Sequence, residues 1–218
     1  VANQHYEIVL SGIHTGRYGH DLGTDLTALL RRLLNEVEGL QRIRLSSIEI
    51  NELSDEFLTL MQQDERIARH LHIPIQSASN HVLKAMNRPY TIEAFIERID
   101  EIRTLLPDCS ISTDIIVGFP DESEEDFNET LSNLDRIQFS FMHVFPFSKR
   151  DGTRAAGMSN QISGLVKKER AKLLNVKSGN DYALYQQGWI GRSVSVLFEK
   201  QENQQAIGHA SQYFPVTV

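Results

Sequence analysis

Short apolar runs alternate with longer amphipathic stretches along most of the chain, at intervals of roughly 30 residues. The runs Glu7–Leu10, Ile43–Ile50, Leu71–Ile75, Ile111–Val117 and Phe141–Val144 read as strands. Ile115, Ile116 and Val117 are consecutive β-branched residues, apolar on both faces, as in a strand buried on both sides. Between these runs, Leu26–Val37, Asp55–Gln63, Asn80–Met86, Ile92–Leu106 and Glu124–Ile137 read as helices. In the first helix, Leu26, Leu29, Leu30, Leu33, Leu34 and Val37 keep the i, i+3, i+4, i+7 spacing of one amphipathic face. Successive strand–helix units predict parallel strands joined by right-handed crossovers. A flat doubly wound sheet and a closed or partly closed (β/α) barrel both satisfy the pattern. Both place chemistry at the carboxyl ends of the strands.

The character changes after Phe147. Ser148–Gly164 is loop-like and rich in Gly, Ser and basic residues. Val166–Gln187 reads as one charged helix with Leu173, Leu174, Val176 and Leu184 turned inward. From Trp189 the pattern alternates (Val194, Val196, Phe198), passes a polar turn and reaches Phe214–Val218, the signature of a small β element. These shifts divide the chain into residues 1–187 and 188–218, the latter too short for an independent β domain.

At 218 residues, with 40% apolar and 23% charged residues, the composition is that of a soluble globular protein. No apolar run approaches a membrane span, and no signal-peptide pattern is present. The single cysteine, Cys109, excludes an internal disulfide framework and fits a reducing cytoplasm. A net charge of −7 argues against a broad nucleic-acid surface, so any such contact is expected to be local. The chain begins at Val1, without an initiating Met, and enters a strand almost at once, as a piece of a longer protein would.

Candidate chemistry gathers at the predicted strand ends. The first strand ends in "LSGIHTGRYG", with Gly12, Gly16 and Gly19, but neither G-x-G-x-x-G nor G-K-[ST] occurs there. The second ends in "RLSSIEI", where Glu49 needs an ion-pair partner or hydrogen-bond donors, which ribose hydroxyls could supply. Gln76 directly follows the third strand, and Arg88 ends the next short helix, which Pro89 stops. Each has a plain structural reading, as a hydrogen-bonding amide and as a helix-terminal cation. His70 and His72 alternate on one strand face, and a metal site needs more convergent ligands than that. The fourth strand carries Asp114 near its start and Gly118 at its end. Ser123 and Asp126 then form an acidic variant of the capping box. Asp121, Glu122, Glu124, Glu125 and Asp126 at this helix start would repel a phosphate and suit the helix dipole instead. The fifth strand leads into "HVFPFSKRDGTRAA", a loop with Lys149, Arg150 and Arg154, suited to a phosphate or carboxylate partner or to solvent. Cys109 has no nearby motif and reads as a packed thiol.

Taken in order, "EIVLSGIHTGRYG", "RIRLSSIE", "HLHIPIQSAS", "MNRPYT", "DIIVGFP" and "HVFPFSKRDGTRAA" resemble the radical S-adenosylmethionine (SAM) enzymes, and more narrowly the tRNA methylthiotransferases. The "HTGRYG" and "RIRLSSIE" versions resemble the branch acting on threonylcarbamoyl-adenosine beside the anticodon. Ala78 and Asp121 depart from the family pattern, which usually has Gly at both positions. The resemblance implies an incomplete parallel (β/α) barrel with five of six units, and at residues 188–218 the start of a TRAM-like RNA-binding β-barrel. It implies that Glu49 and Gln76 grip the ribose of SAM and that Arg88 pairs with the methionine carboxylate. It places Asp114 beside the cofactor, Gly12 where backbone receives the methionine amino group, and Gly118 against the adenine. It also implies tRNA as a partner through its anticodon stem-loop, contacted by Lys149, Arg150 and Arg154, and a protein electron donor.

The family's C-x-x-x-C-x-x-C loop, which binds a four-iron four-sulfur cluster, does not occur in the chain. The resemblance places it before Val1, with a domain holding a second cluster. The chain alone is therefore expected to bind no cluster and to be inactive. Two alternatives stand beside this reading: a methylthiotransferase acting on another tRNA adenosine or a ribosomal protein, and a non-enzymatic RNA-binding scaffold.

Overall fold

A computed structural model describes residues 5–218, which divide into two compact units. The first comprises residues 5–73, Glu101–Ile111 and Trp189–Val218, and the second Pro74–Asp100 and Ser112–Gly188.

In the first unit, β1 (Glu7–Leu10) pairs in parallel with β2 (Arg42–Leu45), Glu7 opposite Arg42 and Leu10 opposite Leu45. The connecting helix α1 (Leu26–Glu36) opens where the Asp25 carboxylate accepts from the Ala28 N–H at 2.8 Å, and it buries Leu26, Leu30 and Leu34. Helix α2 (Asp55–Gln63) opens on the Ser54 hydroxyl, which accepts from the Phe57 N–H at 3.1 Å. Parallel bridges, Ile43 to Ile67 and Ser47 to His72, continue the pattern toward β3 (His70–His72). Two strands are shorter than the sequence predicts. β2 stops at Leu45; the Ser46 N–H still donates to the Leu10 carbonyl at 2.9 Å, and the chain then turns through a 3-10 segment over Ile50–Glu52, closed by the Glu52 N–H on the Glu49 carbonyl at 2.9 Å. β3 stops at His72, just before Pro74, which has no N–H to give to a ladder.

The C-terminal strands β6 (Val196–Glu202), β7 (Gln205–Ala210) and β8 (Pro215–Thr217) form an antiparallel sheet in that order. At Gly208 a Cβ would collide with the Leu197 carbonyl on the facing strand, so only glycine permits that approach. This sheet is tied to β2 through arginine. Arg42 and Arg44 lie two apart, hence on one face of β2, and both are buried. The Glu7 carboxylate accepts from both, at 3.4 Å and 3.0 Å. Their remaining N–H groups donate to main-chain carbonyls of the C-terminal segment: Arg42 to His209 at 2.9 Å and Ser195 at 3.0 Å, Arg44 to Ser211 at 3.2 Å. The Arg44 guanidinium also lies 4.6 Å from the centre of the Tyr213 ring. His70 packs against the same ring, and burial, then the neighbouring Arg44 charge, push it down to about 3. It stays neutral at ordinary pH. Burial pushes the Cys109 thiol up to about 12, which makes it a packed thiol rather than a thiolate.

Strand β4 (Ser110–Val117) begins in the first unit and runs into the second. There it pairs in parallel with β5 (Phe141–Pro146), Asp114 opposite His143 and Ile116 opposite Phe145. The helices of the second unit are α3 (Asn80–Ala85), most of α4 (Ile92–Leu105), α5 (Glu124–Ile137) and α6 (Gly164–Gln187). The parallel strands and intervening helices are those the hydrophobic pattern predicts.

Helix α5 opens with the predicted capping box: the Asp126 N–H donates to the Ser123 hydroxyl at 3.0 Å, and the Ser123 N–H to the Asp126 carboxylate at 2.9 Å. Asp126 also accepts from the buried Ser79 hydroxyl at 2.6 Å and pairs with His81 Nδ1 at 2.9 Å, joining the starts of α3 and α5.

Helix α6 corrects one expectation. It buries Arg170, Ala171, Leu174 and Ser178, whereas Leu173, Val176 and Leu184 are 54%, 58% and 65% exposed. Steps of four residues carry Arg170, Leu174 and Ser178 down the side facing β5, where Ser178 Oγ accepts from the Met142 N–H at 3.0 Å. Leu173 and Val176 point elsewhere. No helix among the described residues is long and apolar enough to cross a membrane.

Two predictions follow from these pairings. Glu7→Gln leaves two buried guanidinium groups without a carboxylate, and is expected to lower the unfolding free energy by about 3–5 kcal/mol in urea denaturation. A loss below about 1 kcal/mol would give the cluster the weight of an exposed pair.

The second concerns pH. Burial alone would raise the Asp126 carboxyl, but hydrogen bonds from Ser79, His81 and Ser123 outweigh it and hold it at about 2. Its contribution to stability is present above the unfolded value of 3.8 and is lost as pH falls through about 2. The hydrogen bond to Asp126 raises His81 above 6.5, so its contribution is complete below 6.5 and is lost as pH rises through the folded value. NMR titration is expected to find His81 above 6.5 in the native chain and lower in Asp126→Asn. An unchanged His81 titration in that variant would contradict the pairing.

Candidate functional site

Strand β4 ends at a turn whose geometry is set from within. Gly118 has φ +69°, the left-handed region that glycine enters without penalty, and a Cβ there would collide with the Lys167 side chain. The Gly118 N–H donates to the Glu122 carboxylate at 2.9 Å. That carboxylate is buried and paired with Arg170, whose other N–H groups donate to the Glu122 and Ser123 carbonyls, both at 3.1 Å. Burial pushes the Glu122 carboxyl above its ordinary range, opposed by the Gly118 N–H and Arg170. The turn thus holds its own anion, Glu122, where a nucleotide loop would hold phosphate. Asp121 has φ +72°, which accounts for glycine being common there, and its carboxylate accepts from Asn160 Nδ2 at 2.7 Å. Ala78 is fully buried and its carbonyl accepts from Asn133 Nδ2 at 2.8 Å.

Gln76 is held by β4. Its N–H donates to the Asp114 carbonyl at 2.9 Å, and its carbonyl accepts from the Ile116 N–H at 2.8 Å. The Ser77 N–H reaches back to the Ile75 carbonyl at 2.9 Å, a three-residue turn that puts Gln76 at φ +67°. Such a conformation costs about 1–3 kcal/mol in a residue other than glycine and tends to mark functional sites.

Arg88 is placed by the end of α3. The Arg88 N–H donates to the Leu83 carbonyl at 2.9 Å and the Asn87 N–H to the Lys84 carbonyl at 3.0 Å, the paired bonds of a Schellman motif. Asn87 supplies the left-handed residue at φ +60°, and Pro89 prevents the helix from resuming.

Gln76 and Arg88 line one cavity of about 340 Å³ within the second unit. Met86, Asn87, Ile116, Phe119, Phe147, Arg154 and Met158 also line it. Phe119 and Phe147 meet edge to face at 5.2 Å between ring centres, and Lys167 braces the second ring by donating to the Phe147 carbonyl at 3.1 Å. The chemistry is that of a site for an amphipathic, anion-bearing molecule: a thioether and aromatic wall, an amide and guanidinium groups.

The other sequence candidates are placed as follows. Asp114 lies on the same β4 face as Ile116, one pleat further from the strand end, and does not line the cavity. Gly118 adjoins Phe119, and its missing side chain makes room for Lys167. Glu49 and Gly12 belong to the first unit; Glu49 stands at the start of a 3-10 turn, and Gly12 is exposed with its φ outside the left-handed region. Of the three loop cations, Arg154 lines the cavity, while Lys149 and Arg150 are exposed outside it. The sequence reading missed the lining roles of Met86, Asn87, Phe119, Phe147 and Met158. Only Asn87 had a local signal, an Asn closing a helix two residues before proline.

Asn87→Gly is expected to keep stability within a few tenths of a kcal/mol. Asn87→Ala is expected to lose about 1–2 kcal/mol, the left-handed penalty, in thermal or urea unfolding. Equal stabilities of the two variants would exclude the motif.

Residues 3–134 match the family model described as the Radical SAM superfamily. The chain is 41% identical over 216 residues to the threonylcarbamoyladenosine tRNA methylthiotransferase MtaB of Bacillus subtilis, covering 96% of this chain and 48% of that protein. It is 44% identical over 195 residues to a tRNA-2-methylthio-N(6)-dimethylallyladenosine synthase of Thermoanaerobacter sp., covering 88% and 41%. The chain thus spans about half the length of the curated relatives it matches. Among solved structures, coproporphyrinogen III oxidase (HemN) of Escherichia coli, a radical SAM enzyme, aligns with a TM-score of 0.64 at 15% identity, over 94% of this chain and 52% of that one. At that identity the likeness concerns fold, and it agrees with the parallel strand–helix order. With the family match spanning residues 3–134 of 218, the chain belongs to the radical SAM superfamily.

Proposed function

We propose that the chain is the SAM-binding part of a tRNA methylthiotransferase, and that its substrate base is N6-threonylcarbamoyladenosine beside the anticodon. The observation that carries the reading is the cavity in which Gln76, strained and fixed by β4, meets Arg88, fixed by its Schellman turn. Arg88 pairs with the methionine carboxylate, for which the planar guanidinium fork is suited. The Gln76 amide holds ribose hydroxyls, and Asp114 supports the site from the same β4 face as Ile116. Phe119, Phe147, Met86 and Met158 keep water from the apolar parts of the ligand. Glu49 and Gly12 keep their assignments by resemblance, to the ribose and the methionine amino group. Gly118 is assigned to the adenine side through its neighbour Phe119. When bound, SAM supplies a carbon–sulfur bond that is cleaved reductively to start radical chemistry.

The iron–sulfur cluster does not fit the residues of this chain. A cluster takes several thiolates, and the one cysteine, Cys109, is held protonated with a value of about 12. No step is assigned to the chain through a cluster; in the whole protein the ligands must come from other residues. We assign residues 188–218 to the start of an RNA-binding β module, where Arg192 stacks 4.0 Å from the Trp189 ring centre. Lys149 and Arg150 are assigned to the anticodon stem-loop. A protein electron donor and the cytoplasm complete the proposed setting. The 44% identity to a dimethylallyladenosine enzyme supports a second reading, in which the substrate base carries that apolar group.

In the full-length gene product, Arg88→Ala is expected to weaken SAM binding by roughly 1.5–3 kcal/mol in titration calorimetry, the scale of a charge-assisted hydrogen bond. Lysine at that position should restore only part, lacking the planar fork. If Arg88 served only as a helix-terminal cation, Ala would cost stability and leave affinity intact, and the assignment of the cavity would fall.

A further inference from the structure

The cavity carries a second guanidinium that the cofactor reading leaves unused. Arg154 lines it, as Arg88 does, and belongs to the one-turn 3-10 segment Arg154–Gly157. That segment is braced: Thr153 Oγ1 donates to the Arg150 carbonyl at 2.7 Å, and Gln161 Nε2 donates to the Ala155 carbonyl at 2.9 Å and the Met158 carbonyl at 3.0 Å. Arg154 is exposed, and among the described residues its guanidinium has no hydrogen bond or ion pair. By contrast, Arg31, Arg32, Arg42, Arg44, Arg66 and Arg170 all pair with carboxylates. A cation on a braced segment, lining a largely apolar cavity without an internal anion, is a place for an external one.

The methionine end of SAM has one carboxylate, and Arg88 takes it in the reading above. The two substrate bases named for the relatives differ in the charge they would bring. A threonylcarbamoyl group ends in a carboxylate, whereas a dimethylallyl group is a hydrocarbon. We propose that Arg154 is the specificity-determining residue of this site, pairing with the carboxylate of the threonyl group on the substrate base. This rests on the reading of the cavity as the SAM site. A chain of net charge −7 repels an anionic group at long range, so a local guanidinium is what makes such a base acceptable. Discrimination then comes from one charge-assisted pair that the dimethylallyl base cannot form, with a desolvated cation left over when it binds.

The test uses the full-length gene product and three anticodon stem-loop RNAs that differ only at the target base: threonylcarbamoyladenosine, its neutral methyl ester, and dimethylallyladenosine. Binding is read by fluorescence anisotropy at one fixed salt concentration, and SAM affinity separately by calorimetry. The wild type is expected to bind the acid RNA at least tenfold more tightly than the ester. Arg154→Gln should bring the acid RNA down to the ester level while leaving ester binding and SAM affinity unchanged, and Arg154→Lys should keep part of the preference. Unchanged SAM affinity also shows that the variants fold.

Equal weakening of all three RNAs would make Arg154 a phosphate contact and overturn the proposal. So would a loss of SAM affinity in Arg154→Gln, which would give it the methionine carboxylate. A wild type without preference, or a preference that survives Arg154→Gln, would overturn it as well. Failure of the cofactor reading is separate, because it appears as unchanged SAM affinity in Arg88→Ala whatever the RNA ratios.

Discussion

The second unit depends on a buried ion pair. Glu122 and Arg170 are both withdrawn from water, which is costly unless every donor and lone pair finds a partner. Here they do. Glu122 takes the Gly118 N–H, and Arg170 reaches two further carbonyls of the same turn and lies 5.0 Å from the Phe127 ring centre. The pair thereby fixes the exit of β4 against α6 and sets where Phe119 begins. Lys167, one helical turn before Arg170, fills the space that Gly118 leaves and braces Phe147. Two walls of the cavity thus follow from one electrostatic arrangement, and the need for glycine at position 118 is a consequence of it.

The opposite side of the cavity is built by backbone geometry rather than charge. Gln76 and Asn87 both occupy the left-handed region, Gln76 through a three-residue turn clamped by β4 and Asn87 through the terminus of α3. Each turn fixes the backbone that carries a lining side chain: Gln76 directly, Arg88 as the residue after Asn87. Preorganisation of this kind lowers the entropy lost when a flexible, charged ligand is bound. The strain at Gln76 is offset by main-chain hydrogen bonds on both sides of it.

The first unit uses buried charge differently. Arg42 and Arg44 spend most of their donors on main-chain carbonyls of the C-terminal segment, with Glu7 as their shared anion. Carbonyls accept without adding charge, so one carboxylate serves two guanidinium groups. The pattern specifies which backbone segment sits on β2, since an apolar substitute would pack without selecting those carbonyls. His70, kept neutral beneath Tyr213, adds no competing charge to the cluster.

The strand and helix order was legible in the sequence because a period of two and a period near four leave distinct marks. β1, α2 and α5 begin and end where the pattern put them, and the Ser123–Asp126 cap was readable because its partners are three residues apart. Candidate residues Gln76 and Arg88 were also readable, from strand ends and helix stops. That they share a cavity was not, because eleven residues of turn and helix separate them and only tertiary packing closes that distance. Helix α6 was misread for a related reason. Its leucines occupy several faces, and the buried one was chosen by Arg170 and Ser178, polar residues that no hydrophobic pattern would nominate. Local chemistry fixed the elements, and contacts distant in sequence decided which side chains became core, cavity wall or unpartnered cation.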